Sequence, residues 1–442
     1  MPQREAEILP FAREEIERSL PERFAKVVAA RSSFLAIAAG EDRLTYAELS
    51  RRADALAAEI LRRQGDSAAP VAMLVRDPVA IVTAIFATWQ AGKLCVPIDA
   101  ALPPGRVESI LRHSLSELLI TDRSPAFSPT DEARVGPREL RIDALARFEA
   151  GGQAPARISG DSPACVLYTS GSTGEPKGVL RTHRSILHRA RGSIASLGVR
   201  PQDRLSILHS PASPAGIRDV LAALLGGAAL FIFDLRDAGF SELSRWIIRE
   251  EISVLCGVVS TWRHVFANID ASVRFSSLRM VRLGSEPIYR RDVERLREHV
   301  RSDCILVTGY GATEASGVVE YRMDGATPLP PGRIPAGYLL EDVEIDVRDE
   351  DGRSVQPGDT GEVVVRCPYL ASGYWRQPEL TRSVFESDSA DGRICAYRTG
   401  DIGRMRPDGC LELLGRQDDQ VKVRGYRVNP GEIELALVEH PS

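Results

Sequence analysis

The run Ala164–Tyr168 (ACVLY) gives way at once to Thr169-Ser-Gly-Ser-Thr-Gly-Glu-Pro-Lys-Gly178. A short apolar run of this kind predicts a buried central strand. The ten residues after it cannot prolong that strand in regular form. Gly171, Gly174 and Gly178 let the backbone approach a ligand closely. Thr169, Ser170, Ser172 and Thr173 supply hydroxyls, and Lys177 supplies a cation. Backbone N–H groups, hydroxyls and positive charge together meet what a polyanionic phosphate needs. A helical pattern follows near His183, so the segment predicts a strand–loop–helix phosphate cradle on a layered α/β fold. It is not a Walker loop, because Pro176 precedes Lys177 and Gly178 follows it. The competing reading is a plain Gly/Ser connector.

The rest of the chain supports the α/β class. Leu44–Arg63 predicts a helix capped by Thr45, with Glu48 completing a capping box. Ile16–Ala30 and Pro78–Gly92 predict helices, and Val71–Val75 and Leu94–Ile98 strands. Asp122–Asp161 is rich in Pro, Ser, Gly and charge, and predicts a surface connection. Strand and helix alternate again from Arg204 to Gly311. Val343–Arg348, Gly361–Arg366, Leu411–Leu414 and Gln420–Val423 then predict short strands parted by turns. The expected architecture is a large core of two layered α/β subdomains (residues 1–415), with a small β-rich lobe at about 330–415. Residues 416–442 are expected to be a hinge and the start of a further subdomain.

Length and charge exclude other classes. At 442 residues the chain exceeds one ordinary core. Its net charge of −5 argues against a nucleic-acid partner, which calls for a basic surface. The longest apolar stretches, such as Val220–Phe233, are too short or too Gly-broken to span a bilayer, and the charged N-terminus lacks a signal-peptide core. The seven cysteines are scattered without a Cys-x-x-Cys pair, which predicts reduced thiols and a cytoplasmic protein.

Thr169–Gly178 resembles the signature loop of adenylate-forming enzymes: peptide-synthetase adenylation domains, acyl- and aryl-coenzyme A ligases, and firefly-type luciferases. The resemblance recurs in order along nearly the whole chain. Tyr310-Gly-Ala-Thr-Glu314 is similar to the adenine and magnesium motif, Tyr397-Arg-Thr-Gly-Asp401 to the ribose motif, and Gly415–Gly425 (GRQDDQVKVRG) to the hinge, followed by Asn429–Glu434. LTYAELS near the start and Val96-Pro-Ile-Asp99 resemble the peptide-synthetase branch.

The resemblance implies ATP and Mg²⁺ as cofactors and a set of site residues. Thr169, Ser170, Gly171, Ser172, Thr173, Gly174 and Lys177 would hold phosphates. Gly309, Tyr310 and Gly311 would lie along adenine, where an aromatic ring can stack; a strand-end core tyrosine is the other reading of Tyr310. Thr313 would donate to the α-phosphate, and Glu314 would give Mg²⁺ a hard oxygen; a helix-start acid is the other reading of Glu314. Asp401 would accept ribose hydroxyls, or be a turn aspartate. Arg416 would reach ribose or phosphate, or lie in solvent. Asp418 resembles the hinge residue, and Lys422, Arg424 and Gly425 the stretch beyond it. Thr169, Lys177, Thr313 and Glu314 are the expected catalytic groups. No protein nucleophile is required, since positioning and charge neutralisation carry such chemistry. His183, His188 and His264 are expected to be packed or solvated.

The implied acid pocket comprises His209, Ser213, Pro214, Ala215, Arg218, Cys256, Val281, Leu283, Gly284, Gly309, Gly317 and Val318. In amino-acid-activating relatives an aspartate in the first stretch pairs with the α-ammonium; here Pro214 occupies that position. The expected substrate is a carboxylic acid with no free primary α-amine: a 2-oxo, hydroxy, aryl, small alkyl or betaine-like acid. Arg218 meets an acidic group of it or points outward, and His209 gates the pocket or ends a strand. Cys256, Leu283, Gly309, Gly317 and Val318 are expected to give a mostly apolar wall. The family's C-terminal lobe bears a lysine beyond the position where this chain ends, so slow adenylation by a piece of a longer protein is expected. The implied partner is a carrier domain bearing phosphopantetheine. A coenzyme A ligase and a non-catalytic nucleotide-binding domain are the alternatives.

Overall fold

A computed structural model describes residues 8–123, 137–143, 158–169, 176–387, 393–418, 421–423 and 426–428. The chain divides into two compact units. The first comprises residues 1–168, 176–203 and 209–233, and the second 169–175, 204–208 and 234–442.

The first unit is built on a sheet in the order Arg138–Arg141, Leu118–Thr121, Pro70–Leu74, Leu94–Pro97, Pro163–Thr169, Lys177–Thr182. Its first five strands run parallel. Parallel strands covered on both faces need near-continuous apolar sequence, which ACVLY supplies. The helix Pro78–Gln90 is buried along almost its whole length and is capped by Asp77. Trp89 Nε1 ties it to the central strand by donating to the Ala164 carbonyl at 2.9 Å. The helix Tyr46–Gln64 starts with the capping box expected from sequence: the Glu48 N–H donates to Thr45 Oγ1, and Glu48 accepts from the Thr45 N–H. Strand Leu35–Ala39 pairs parallel with Ala229–Ile232 and antiparallel with Asp42–Thr45.

Two expectations need correction. The glycine-rich loop runs into a strand, Lys177–Thr182, before the helix His183–Leu197 begins. Val179 and Thr182 favour extended backbone, and Thr182 then caps the helix by accepting from the Ser185 N–H. Gly178 lets this strand cross closely over its neighbour, since a Cβ there would lie 2.6 Å from Val166 Cγ1. The second correction lies in Asp122–Asp161, where Arg138–Arg141 pairs parallel with Leu118–Thr121. It is an edge strand, so only Leu140 of its four residues is buried and the apolar pattern is weak.

His183 is buried, and its Nδ1 accepts the Leu20 N–H at 3.2 Å. Burial pulls its pKa down to about 4. The unfolded chain therefore takes up this proton from about pH 6.5 downward, and the folded chain only near pH 4. Stability should fall by about 3 kcal/mol across that window and then level off. Urea midpoints against pH, compared with His183→Asn, check this: the variant should lack that part of the slope.

The second unit carries the parallel strands Arg204–Ile207, Val254–Val258, Met280–Gly284 and Ile305–Ala312, then the antiparallel Ser316–Met323 and Tyr338–Leu339. An antiparallel sheet follows. Gly361–Arg366 lies between Glu344–Arg348 and the twelve-residue strand Ile394–Met405, which also pairs with Phe385–Ser387 and Leu411–Arg416. The architecture is the mixed α/β one expected. Among the described residues no helix is long and apolar enough to cross a membrane, and all seven cysteines are free thiols.

Candidate active site

Four residues of the second unit form one chain of hydrogen bonds. Tyr310, on Ile305–Ala312, donates its hydroxyl to Asp401 Oδ2 at 2.5 Å. Burial and the Asp401 charge hold the phenol pKa well above its usual value, so it stays a donor. Asp401 faces Arg416 across two paired strands, and its Oδ1 accepts from Arg416 Nη1 at 3.0 Å. The rest of the Arg416 fork binds both oxygens of Asp418, at 2.5 and 3.0 Å. Burial opposes the Arg416 charge, but Asp418 and Asp401 outweigh it and keep the pKa above the ordinary range. The structure thus brings together Tyr310, Asp401, Arg416 and Asp418, although Tyr310 and Asp401 are 91 positions apart.

The backbone that presents Asp401 is held by its own motif and by Glu362 and Val363, which the sequence did not single out. Thr399 Oγ1 donates to the Val363 carbonyl at 2.7 Å and accepts from the Asp401 N–H at 3.0 Å. Glu362 accepts from the Gly400 N–H at 3.2 Å and clamps Arg398 at 2.7 and 3.0 Å. Gly400 has a left-handed φ of 69°, and a Cβ there would lie 3.0 Å from Arg416 Nη2. Glycine is therefore the residue this bend admits. The signal was the Gly-Asp pair itself; the partners on the neighbouring strand left none.

Glu314 lies in the reversal between Ile305–Ala312 and Ser316–Met323, not at a helix start. It is buried, accepts from the Tyr374 hydroxyl at 2.8 Å, and its carbonyl accepts from the Ala371 N–H. Tyr374 was also missed, being 60 positions away. Thr313 adjoins it in the same turn. Among the described residues no group of three or more His, Cys, Asp or Glu could hold a metal. A single carboxylate fits an ion that completes its shell with phosphate and water oxygens. Gly311 is compelled by the reversal, since a Cβ there would lie 2.1 Å from the Ser316 carbonyl oxygen. Thr169 ends its strand and Lys177 begins the next. Ser170, Gly171, Ser172, Thr173 and Gly174 lie outside the described residues, as do Arg424 and Gly425.

In the first unit, Ser213 caps the helix Pro214–Gly226, accepting from the Gly216 N–H at 3.0 Å, with Pro214 in the first turn. Ala215 follows Pro214 and is half-buried. A Cβ at residue 216 would meet the Ser210 carbonyl oxygen at 2.0 Å, so glycine keeps this corner tight. Asp219 is fully buried. Arg218 grips both its oxygens at 2.7 and 3.0 Å, and His209 Nε2 lies 2.9 Å from Oδ2. Burial would raise the Asp219 pKa, but Arg218 and His209 hold it well below the usual carboxylate range. Arg218 and His209, both expected near the acid, are thus tied to the same carboxylate. From the helix His183–Leu197, Arg189 donates to the Pro214 carbonyl at 3.3 Å.

In the second unit, Val281 and Leu283 share a face of Met280–Gly284, which ends at Gly284. Cys256 pairs with Arg282 and so lies on the opposite face; Gly257 pairs with Leu283. Cys256 and Leu283 thus project from opposite faces of the sheet, because neighbouring strand positions alternate faces. Val318 is buried; a Cβ at residue 309 would lie 2.5 Å from the Val319 carbonyl oxygen, and one at 317 would lie 3.0 Å from Leu340 Cδ1.

The AMP-binding enzyme family matches residues 24–375. The chain is 34% identical over 426 residues to a probable non-canonical nonribosomal peptide synthetase, CymA, of Salinispora arenicola, covering 95% of this chain and 5% of that protein. It is 30% identical over 442 residues to tyrocidine synthase 1 of Brevibacillus parabrevis, covering 98% of this chain and 39% of that one. The chain thus spans well under half the length of these relatives. Among solved structures, an artificially fused adenylation–PCP didomain, NpsA-ThdA from Klebsiella oxytoca, superposes with a TM-score of 0.83 at 24% identity, covering 96% of this chain and 84% of the other. The fold, the ordered motifs and the family match lead to one assignment: this chain belongs to the AMP-binding enzymes, the adenylate-forming ligases, and is like the adenylation domains of nonribosomal peptide synthetases.

Proposed function

We propose that this chain activates a carboxylic acid lacking a free primary α-amine as its acyl-adenylate, for delivery to a phosphopantetheine thiol on a carrier domain. The observation that carries the substrate reading lies at the first turn of Pro214–Gly226. Pro214 offers no carboxylate, and the nearby Asp219 is already bound by Arg218 and His209. A buried ammonium requires an acceptor of opposite charge, and here it would meet the Arg189 and Arg218 guanidiniums instead. A 2-oxo, hydroxy or aryl acid has no such need.

In this reading adenine lies against Tyr310 and the ribose hydroxyls donate to Asp401. An oxygen of the acid attacks the α-phosphorus of ATP; the bond from that phosphorus to the β-phosphate oxygen breaks, and pyrophosphate leaves. Thr169 and Thr313 donate to phosphate oxygens, and Lys177 neutralises charge on them. Mg²⁺, held through Glu314, would screen the triphosphate. Carrier delivery is supported by the synthetases among the relatives and by the adenylation–PCP neighbour. ATP–pyrophosphate exchange across a panel of acids tests the proposal. Exchange with a 2-oxo, hydroxy or aryl acid and background rates with proteinogenic amino acids are expected; strong exchange with an amino acid overturns the substrate reading.

A further inference from the structure

Around the first turn of Pro214–Gly226 the described residues of the first unit bring together the guanidiniums of Arg189 and Arg218 and the carboxylate of Asp219. Arg189 reaches the Pro214 carbonyl through Nη2 at 3.3 Å, while its Nε is shut off from solvent and has no acceptor among the described residues. Arg181 and Arg218 lie close enough to act on it electrostatically. Burial, with these two neighbours, pulls the Arg189 pKa down to about 9, against the opposing effect of Asp219. Asp219 is itself shared by Arg218 and His209. Arg181 is turned onto Ser185, donating to its hydroxyl at 3.1 Å and its carbonyl at 3.0 Å. The nearby Cys165 thiol adds no charge near neutral pH, because burial raises its pKa to about 12. A guanidinium in such a place strongly favours an added anion. Its planar fork suits a carboxylate, which can accept two parallel N–H bonds.

We propose that Arg189, with Arg181 and Arg218 beside it, forms an anion subsite that holds a second carboxylate of the acid, so that the substrate is a dicarboxylic acid activated at its other end. This rests on the adenylation reading and sharpens its substrate class. The held carboxylate takes no part in bond making. It fixes the acid by one end while the far carboxylate stays free to attack.

Calorimetric titration of the whole chain without nucleotide tests this, using aliphatic and aryl dicarboxylic acids against their monoamides. At least one diacid should bind about tenfold or more tighter than its monoamide, the usual worth of a charge-assisted pair. Arg189→Met should bring the two to within about twofold, and Arg189→Lys, which keeps charge but loses the fork, should fall between. Equal binding of every diacid and its monoamide by the native chain overturns the subsite without any variant. A folded Arg189→Met that keeps the preference also overturns it, as does an Arg189-dependent gain for inorganic pyrophosphate in place of the diacids. Failure of the adenylation reading would look different: no acid would support pyrophosphate exchange, yet the diacid preference would remain.

Discussion

Asp401→Ala is expected to weaken magnesium-ATP binding by about a hundredfold or more while the chain stays folded. The carboxylate is the shared acceptor for the Tyr310 hydroxyl and Arg416 Nη1. In the nucleotide complex proposed here it also accepts the ribose hydroxyls. Two hydrogen bonds to a charged acceptor contribute about 1.5–3 kcal/mol each, and 1.4 kcal/mol is tenfold in affinity. Arg416 keeps Asp418 as a partner, so the substitution does not leave that charge bare, and the loss of stability should be small beside the loss of affinity. Calorimetric titration alongside urea unfolding separates the two. Unchanged affinity in the folded variant would remove Asp401 from the nucleotide site.

Asp219→Ala should act on stability instead, lowering it by about 3–5 kcal/mol. That is the usual consequence of deleting one partner from a buried ion cluster, because the other charges remain buried. Here Arg218 and His209 lose their common carboxylate, with Arg189 close by. The depressed Asp219 pKa gives the sign of its pH dependence. Its contribution is complete above the ordinary aspartate range near pH 3.8, and is lost only as the pH falls below it. Urea unfolding at neutral pH measures the effect, and a loss under about 1 kcal/mol would show that the cluster does not hold this corner together. The His183 effect is confined to pH 4–6.5, so the two groups can be told apart by where each slope appears.

What the sequence made legible was local. The Thr45 capping box, the apolar helix Pro78–Gln90 and the central strand Pro163–Thr169 follow from neighbouring residues alone, and the structure has them within a residue or two. The strand Lys177–Thr182 was hidden because glycine and proline at its start read as loop. The long strand Ile394–Met405 was hidden because Gly400 bends it where its register shifts against its neighbour. The motif residues Tyr310, Glu314, Asp401 and Arg416 stood out by kind, each set beside glycine or threonine. Their supports did not. Glu362 and Tyr374 act through pairings across the sheet or between distant turns, which no short-range pattern encodes. The facing of Cys256 is subject to the same limit, since the strand register alone decides which of two neighbours looks which way. Arg189 carries no signal of its own in the sequence; its meaning comes from Pro214, Arg218 and Asp219, 25 to 30 positions later.

Oxygen transfer tests the chemistry most directly. An acid that supports pyrophosphate exchange, labelled with ¹⁸O in its carboxylate, is turned over with ATP, and hydroxylamine is added as acceptor in place of a carrier thiol. Attack of the acid's oxygen on the α-phosphorus leaves a labelled oxygen on the AMP once the acyl group departs, and mass spectrometry of the AMP reads it out. Acyl-adenylate chemistry yields AMP carrying a single ¹⁸O from the acid; AMP formed without that label would rule it out.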